Sequence, residues 1–214
     1  MARSGSSPKF FFFNPLFDLE LGGYPIDTVA ASARQMSPLF ALMGTSQDRI
    51  LLDVNVPDAY WEYLDHNGID HALPPGKRED LAGFEAVPWG WNESSLERLT
   101  RAGARCDHPP IETVRAVNGR AWCAAFNADT GTGVPGTRFC ADEQEFNRVL
   151  EDLEGSYPQV VKPAFGASGY GFVRMRDATG FSPDQRRAIG GLIARGGCVA
   201  ARPRRPLRAG LPGL

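Results

Sequence analysis

The segment KFFFFN, Lys9 to Asn14, narrows the fold more than any other feature of this chain. A strand with one wet face alternates apolar and polar residues. Four consecutive phenylalanines leave no wet face, which is the texture of a parallel strand covered on both sides. "RILLDVNV", Arg49 to Val56, has the same texture and is closed by Pro57, and "FEAVPWGW", Phe84 to Trp91, is a third candidate. Helical patterns separate them. Asp27 is placed to cap a helix carrying Val29, Ala33, Met36 and Phe40 on one face, after a loop over "DLELGGYP". "DAYWEYLDHNGI" reads as an amphipathic helix stopped at Asn67-Gly68. Asn92 caps a third helix with Leu96 and Leu99, ended by Gly103. Strands alternating with helices predict a Rossmann-like α/β unit over 9–108. Phe11, Phe13, Ile50, Leu52 and Val54 are its expected buried strand residues.

Pro109-Pro110 marks a boundary, and a second unit with a different rhythm is expected over 109–200. Residues 111–126 are helical in pattern, with Gly119 in the middle. "GTGVPGT" is a turn-rich connector. "TRFC" reads as a short strand, followed by a helix from near Asp142 with Phe146, Val149, Leu150 and Leu153 on one face. "QVVKP" is a strand burying Val160 and Val161. "GFVRMRD" alternates Val173 and Met175 against Arg174 and Arg176, so it is a strand too. Ser182-Pro183-Asp184-Gln185 is a capping box with proline at the first helical position, and that helix ends at Gly196-Gly197.

The chain has 214 residues and a net charge of −2, so it has the length for a core and no overall excess of positive charge for polyanions. No apolar run approaches the ~20 residues of a membrane span. The Phe10–Phe13 tetrad is shorter than the roughly 7–15 residues of a signal-peptide core. Residues 1–8 are Ser/Gly-rich and expected to be disordered. The four cysteines, Cys106, Cys123, Cys140 and Cys198, include no C-x-x-C pair and read as reduced, mostly buried thiols of a cytoplasmic protein. Cys106-Asp107-His108 offers too few ligands for a metal site. His66 and His71 flank a turn and are expected to be exposed. Trp61, Trp89 and Trp91 read as core or interface aromatics.

"VVKPAFGASGYGF", Val160 to Phe172, carries the chemistry. The Walker loop needs Gly-Lys-Ser/Thr, which is missing here. The dinucleotide fingerprint needs a helix directly after its glycines, and a strand follows here. What remains is a glycine loop joining two antiparallel strands. It is either a plain hairpin or a lid whose backbone N–H groups close over phosphates. Lys162, at the end of the first strand, is within reach of an α-phosphate and an adenine edge, and Ser168 adds a hydroxyl.

These residues resemble the nucleotide-binding hairpin of the ATP-grasp superfamily of carboxylate–amine ligases. "AVNGRAWCAAF" is similar to the stretch that carries an earlier phosphate-contacting basic residue, here Arg120, where lysine is commoner. "GTRFCADEQEFNRVLEDL" resembles the strand and helix leading to the hairpin. The resemblance covers roughly 111–177 and is architectural before that. It implies a pre-ATP-grasp domain followed by part of a grasp domain. It implies ATP contacts from Arg120, Lys162, Gly166, Ala167, Ser168, Gly169 and Gly171. It also implies Mg2+ bridging the phosphates, an acyl phosphate made from an unknown carboxylate, and attack on it by an amine or another nucleophile. The alternative class is a nucleotide-binding or regulatory module without chemistry. A nucleic-acid partner is not expected, since no aromatic platform accompanies the basic tail.

After Asp184 the chain has no Asp or Glu, and its last 30 residues hold seven arginines. "GGCVA" resembles the start of the family's hinge strand without its usual glutamate, and residues 201–214 form an Arg/Pro-rich tail. The expectation is a chain shortened before its magnesium ligands, through a change of reading frame near Val199, and inactive by itself.

Overall fold

The computed structural model describes residues 7–134, 136–152, 159–166, 171–175 and 180–201. The expected disordered N-terminus and basic tail fall almost wholly outside these residues. The chain divides into two units, Met1–Arg115 and Ala116–Leu214.

The first unit is a Rossmann-like α/β unit. Its strands β1 (Lys9–Phe12), β2 (Arg49–Leu51) and β3 (Glu85–Pro88) form a parallel sheet in the order β2-β1-β3. The phenylalanine run explains why β1 is central. Phe10 and Phe12 point to one face and pack with Leu81, Ala86, Leu99 and Ala104. Phe11 points to the other and packs with Phe40, Ala41, Ile50 and Ala72. Successive side chains of a strand alternate faces, so an unbroken apolar run serves two layers. The crossover from β1 to β2 runs through α1 (Phe17–Leu21), α2 (Asp27–Gln35) and a 3₁₀ helix (Ser37–Met43). α3 (Asp58–His66) connects β2 towards β3, and α4 (Glu93–Arg101) follows β3.

Several local expectations need correction. β2 ends at Leu51, so Leu52 and Val54 lie beyond it, half-buried. Asp27 is the first residue of α2; Ile26 holds the cap position and makes no side-chain bond. "DLELGGYP" begins inside α1, whose Leu19 and Leu21 are 1% exposed. His71 is buried, with its ring stacked on Trp61 at 5.4 Å. The Trp61 ring of the preceding helix covers it, and its Nδ1 lies 3.0 Å from the Ile69 carbonyl oxygen, while His66 stays exposed. Asn92 caps α4 as expected, in a capping box with Ser95.

The second unit is α+β. Among the described residues, β4 (Arg138–Cys140), β5 (Gln159–Pro163), β6 (Val173–Met175) and β7 (Cys198–Ala201) form an antiparallel sheet in the order β4-β7-β5-β6. The helical pattern of 111–126 is two helices, α5 (Ile111–Asn118) and α6 (Arg120–Thr130). The break is at Gly119, which is extended at ψ 137°. Glycine is among the poorest helix formers, so the chain can turn there at little cost. α7 (Glu143–Asp152) follows β4, and α8 (Pro183–Ala194) starts at the Ser182 capping box with Gln185. Val160, Val161, Met175, Ile189, Leu192 and Val199 are buried in this unit. β7 places the expected hinge strand between β4 and β5.

Candidate nucleotide site

β5 and β6 pair antiparallel, with Val161 opposite Val173, so the glycine segment joins the two strands of one hairpin. Of the expected loop donors, Gly166 and Gly171 are described, while Ala167, Ser168 and Gly169 lie outside the described residues. Gly171 has φ +72°, the left-handed region in which a side chain is strained. A Cβ there would stand 3.6 Å from the Pro163 ring, an ordinary contact, so the dihedral rather than space asks for glycine.

The break at Gly119 brings Arg120 to this hairpin. At the first residue of α6, its backbone N–H donates to the Ala164 carbonyl at 2.9 Å, satisfying a donor that a helix start leaves open. Its guanidinium Nη1 donates to the Pro163 carbonyl at 2.6 Å and its Nη2 to the Gly166 carbonyl at 3.0 Å. Arg120 therefore holds the end of β5 and the start of the glycine segment. A flat, two-pronged donor suits two carbonyls better than an ammonium would, which gives the arginine a structural reason.

Lys162 is half-buried on β5, opposite Val199 of β7. Its ammonium lies 5.5 Å from the Phe172 ring centre, and the Arg120 guanidinium carbon lies 5.8 Å from the same centre. Phe172 is the site residue that was not singled out from the sequence; its signal is an aromatic directly after the last glycine of the loop. Burial pushes the Lys162 ammonium below the usual lysine range, and the nearby Arg120 charge pushes the same way. Among the described residues the Lys162 ammonium makes no ion pair or hydrogen bond. Two cations around one aromatic ring, one of them with no acid beside it, make a place where an anion would be stabilised.

No family model and no curated protein matches the sequence. Solved structures do match. They include an N5-carboxyaminoimidazole synthetase from Staphylococcus aureus complexed with ADP, at 14% identity and a TM-score of 0.44, covering 92% of this chain and 47% of that one. D-cycloserine synthetase matches at 19% identity and 0.44, covering 89% and 57%. A RimK domain ATP-grasp protein from Sphaerobacter thermophilus matches at 16% and 0.42, covering 94% and 65%. The chain thus spans about half to two thirds of the length of these proteins. At such identities and scores they assign it no substrate and no activity.

Magnesium is an expectation of the sequence motif alone. Among the described residues no group of three or more His, Cys, Asp or Glu side chains is placed to hold a metal ion. Nor is any described helix long and apolar enough to cross a membrane.

Proposed function

We propose that the unit Ala116–Leu214 binds the phosphates of ATP at the β5–β6 hairpin, as the nucleotide-binding part of an ATP-grasp ligase. The observation that carries this reading is the Lys162 ammonium, half-buried beside Arg120 and Phe172 with no acidic partner among the described residues. A polyphosphate would remove the penalty of that arrangement. Lys162 takes the phosphate charge. The backbone N–H groups of Gly166, Ala167, Ser168, Gly169 and Gly171 close over the phosphate oxygens, with the Ser168 hydroxyl as a further donor. Arg120 fixes the hairpin carbonyls and adds positive charge from behind. In the reaction of this class, a carboxylate oxygen attacks the γ-phosphorus and ADP leaves. An amine then attacks the acyl carbon and phosphate leaves. Magnesium belongs to that chemistry, but the described residues hold no ligand set for it.

The test is calorimetric titration of ATP into the protein, Lys162→Ala and Lys77→Ala. Lys77 is an exposed lysine of the "PPGKRED" loop. Losing a charge-assisted bond to phosphate should weaken binding about tenfold or more. Lys77→Ala should bind as the parent does. Equal affinities in the two variants would remove Lys162 from the site.

A further inference from the structure

Cys140 of β4 and Cys198 of β7 stand directly opposite one another in the antiparallel sheet of the second unit. Both are 0% exposed. Directly opposed residues of an antiparallel pair have Cα atoms about 4.5 or 5.5 Å apart. Both spacings fall inside the range of about 4.4–6.8 Å that a disulfide spans. The two thiols also influence one another: Cys198 pulls the Cys140 thiol below the ordinary thiol range, and Cys140, together with burial, pushes Cys198 up. Cys106 and Cys123 are only half-buried, and their sulfurs meet Thr100 and Ala104, and Val117, respectively.

We propose that Cys140 and Cys198 form a reversible cross-strand disulfide, an oxidative modification site that fastens β4 to β7. Access comes from position. β4 has three residues and lies at the edge of the sheet, so its local opening exposes the pair without unfolding the rest. The oxidant is a low-molecular-weight disulfide such as glutathione disulfide. The Cys140 thiol loses its proton, and its sulfur attacks one sulfur of the oxidant. The S–S bond of the oxidant breaks, and the first glutathione leaves as a thiolate that takes up that proton. The Cys198 sulfur, deprotonated in turn, attacks the Cys140 sulfur of the mixed disulfide. The second glutathione leaves and is protonated. Two protein thiols are oxidised by two electrons, and one glutathione disulfide becomes two thiols. The bond would also brace the strand next to Lys162, because β7 is hydrogen-bonded to β5 with Val199 opposite Lys162.

The experiment uses the full chain carrying Cys106→Ser and Cys123→Ser, so that only Cys140 and Cys198 remain. The folded protein is incubated with glutathione disulfide, then denatured, and its thiols are titrated. The expected result is a fall from two thiols to none, an intact mass lower by two hydrogens, a monomer on a non-reducing gel and full reversal by dithiothreitol. The oxidised form should also melt at a higher temperature than the reduced form. In the parent chain, a non-reduced digest should contain a linked peptide pair joining Cys140 to Cys198, which removes any dependence on the serine substitutions. Two thiols surviving in the folded protein, a mass increased by glutathione, or linkage only between chains would each overturn the proposal.

Discussion

Arg120 and Gly166 are 46 residues apart in the chain and joined by a hydrogen bond of 3.0 Å, from the guanidinium to the carbonyl. With the 2.6 Å bond to the Pro163 carbonyl, that side chain spans the end of β5. Arg120→Ala should therefore destabilise the protein by about 1–3 kcal/mol, the cost of leaving acceptors without their charged donor. Arg120→Lys should recover only part of it, since one ammonium cannot reproduce the fork. Urea titration of the three proteins reads the difference. An unchanged midpoint for Arg120→Ala would mean that water replaces both bonds without loss.

Lys162 gives a pH dependence with a definite sign. Its folded value is lowered from the ordinary 10.5 by burial first and by Arg120 second. Between the lowered value and 10.5 the unfolded chain binds more protons than the folded one, so stability rises with pH across that window. Below the window the cost of the buried charge is fully present. A bound polyphosphate favours the ammonium and moves the value back up, so ATP binding should take up protons at alkaline pH. Affinity should then fall as pH climbs through the Lys162 titration. Calorimetry in two buffers of different ionisation heat measures the uptake. Equal uptake by Lys162→Ala would assign it to another group.

Ile50 and Leu52 separate strand from strand end. Ile50 is 0% exposed and lies opposite Phe11, whereas Leu52 is half-buried past the last residue of β2. Ile50→Ala should cost about 2–5 kcal/mol, and Leu52→Ala clearly less, because its site can relax towards solvent. Chemical denaturation of both variants orders them. A larger loss at Leu52 would contradict the observed end of β2.

The same contrast shows what was legible in the sequence. Apolar runs report burial, so the parallel sheet, its phenylalanine strand and the β5–β6 hairpin could be read directly. They do not report hydrogen bonding, so the end of β2 could not. The Asn92 and Ser182 caps were legible because their bonds are local. Asp27 has the right chemistry for a cap, but the helix starts one residue earlier in phase, after Ile26. Lys162 and the glycines stood out as a motif. The posture of Arg120 did not, because its partners Pro163 and Gly166 are remote in the chain and are backbone carbonyls, which every residue carries. His71 was misread for a related reason: the Trp61 ring that covers it comes from α3, and a local pattern cannot show it.

Gly196 and Gly197 allow a cost of dihedral to be separated from a cost of space. Both have positive φ, +109° and +96°. A Cβ on Gly196 would meet nothing within 4 Å. One on Gly197 would stand 2.6 Å from the Phe139 ring and 2.7 Å from the Cys140 carbonyl oxygen. Gly196→Ala therefore carries backbone strain alone, about 1–3 kcal/mol. Gly197→Ala adds overpacking of about 1–3 kcal/mol, because a backbone oxygen cannot swing aside as a side-chain end can. The relief available is a shift of β4 away from β7, so amide exchange at Phe139 and Cys140 should quicken in Gly197→Ala and stay unchanged in Gly196→Ala. Denaturant titration gives the stability difference between the two variants, and exchange gives its location. Equal stability would show that the close approach of β4 to the Gly197 backbone is absent in solution.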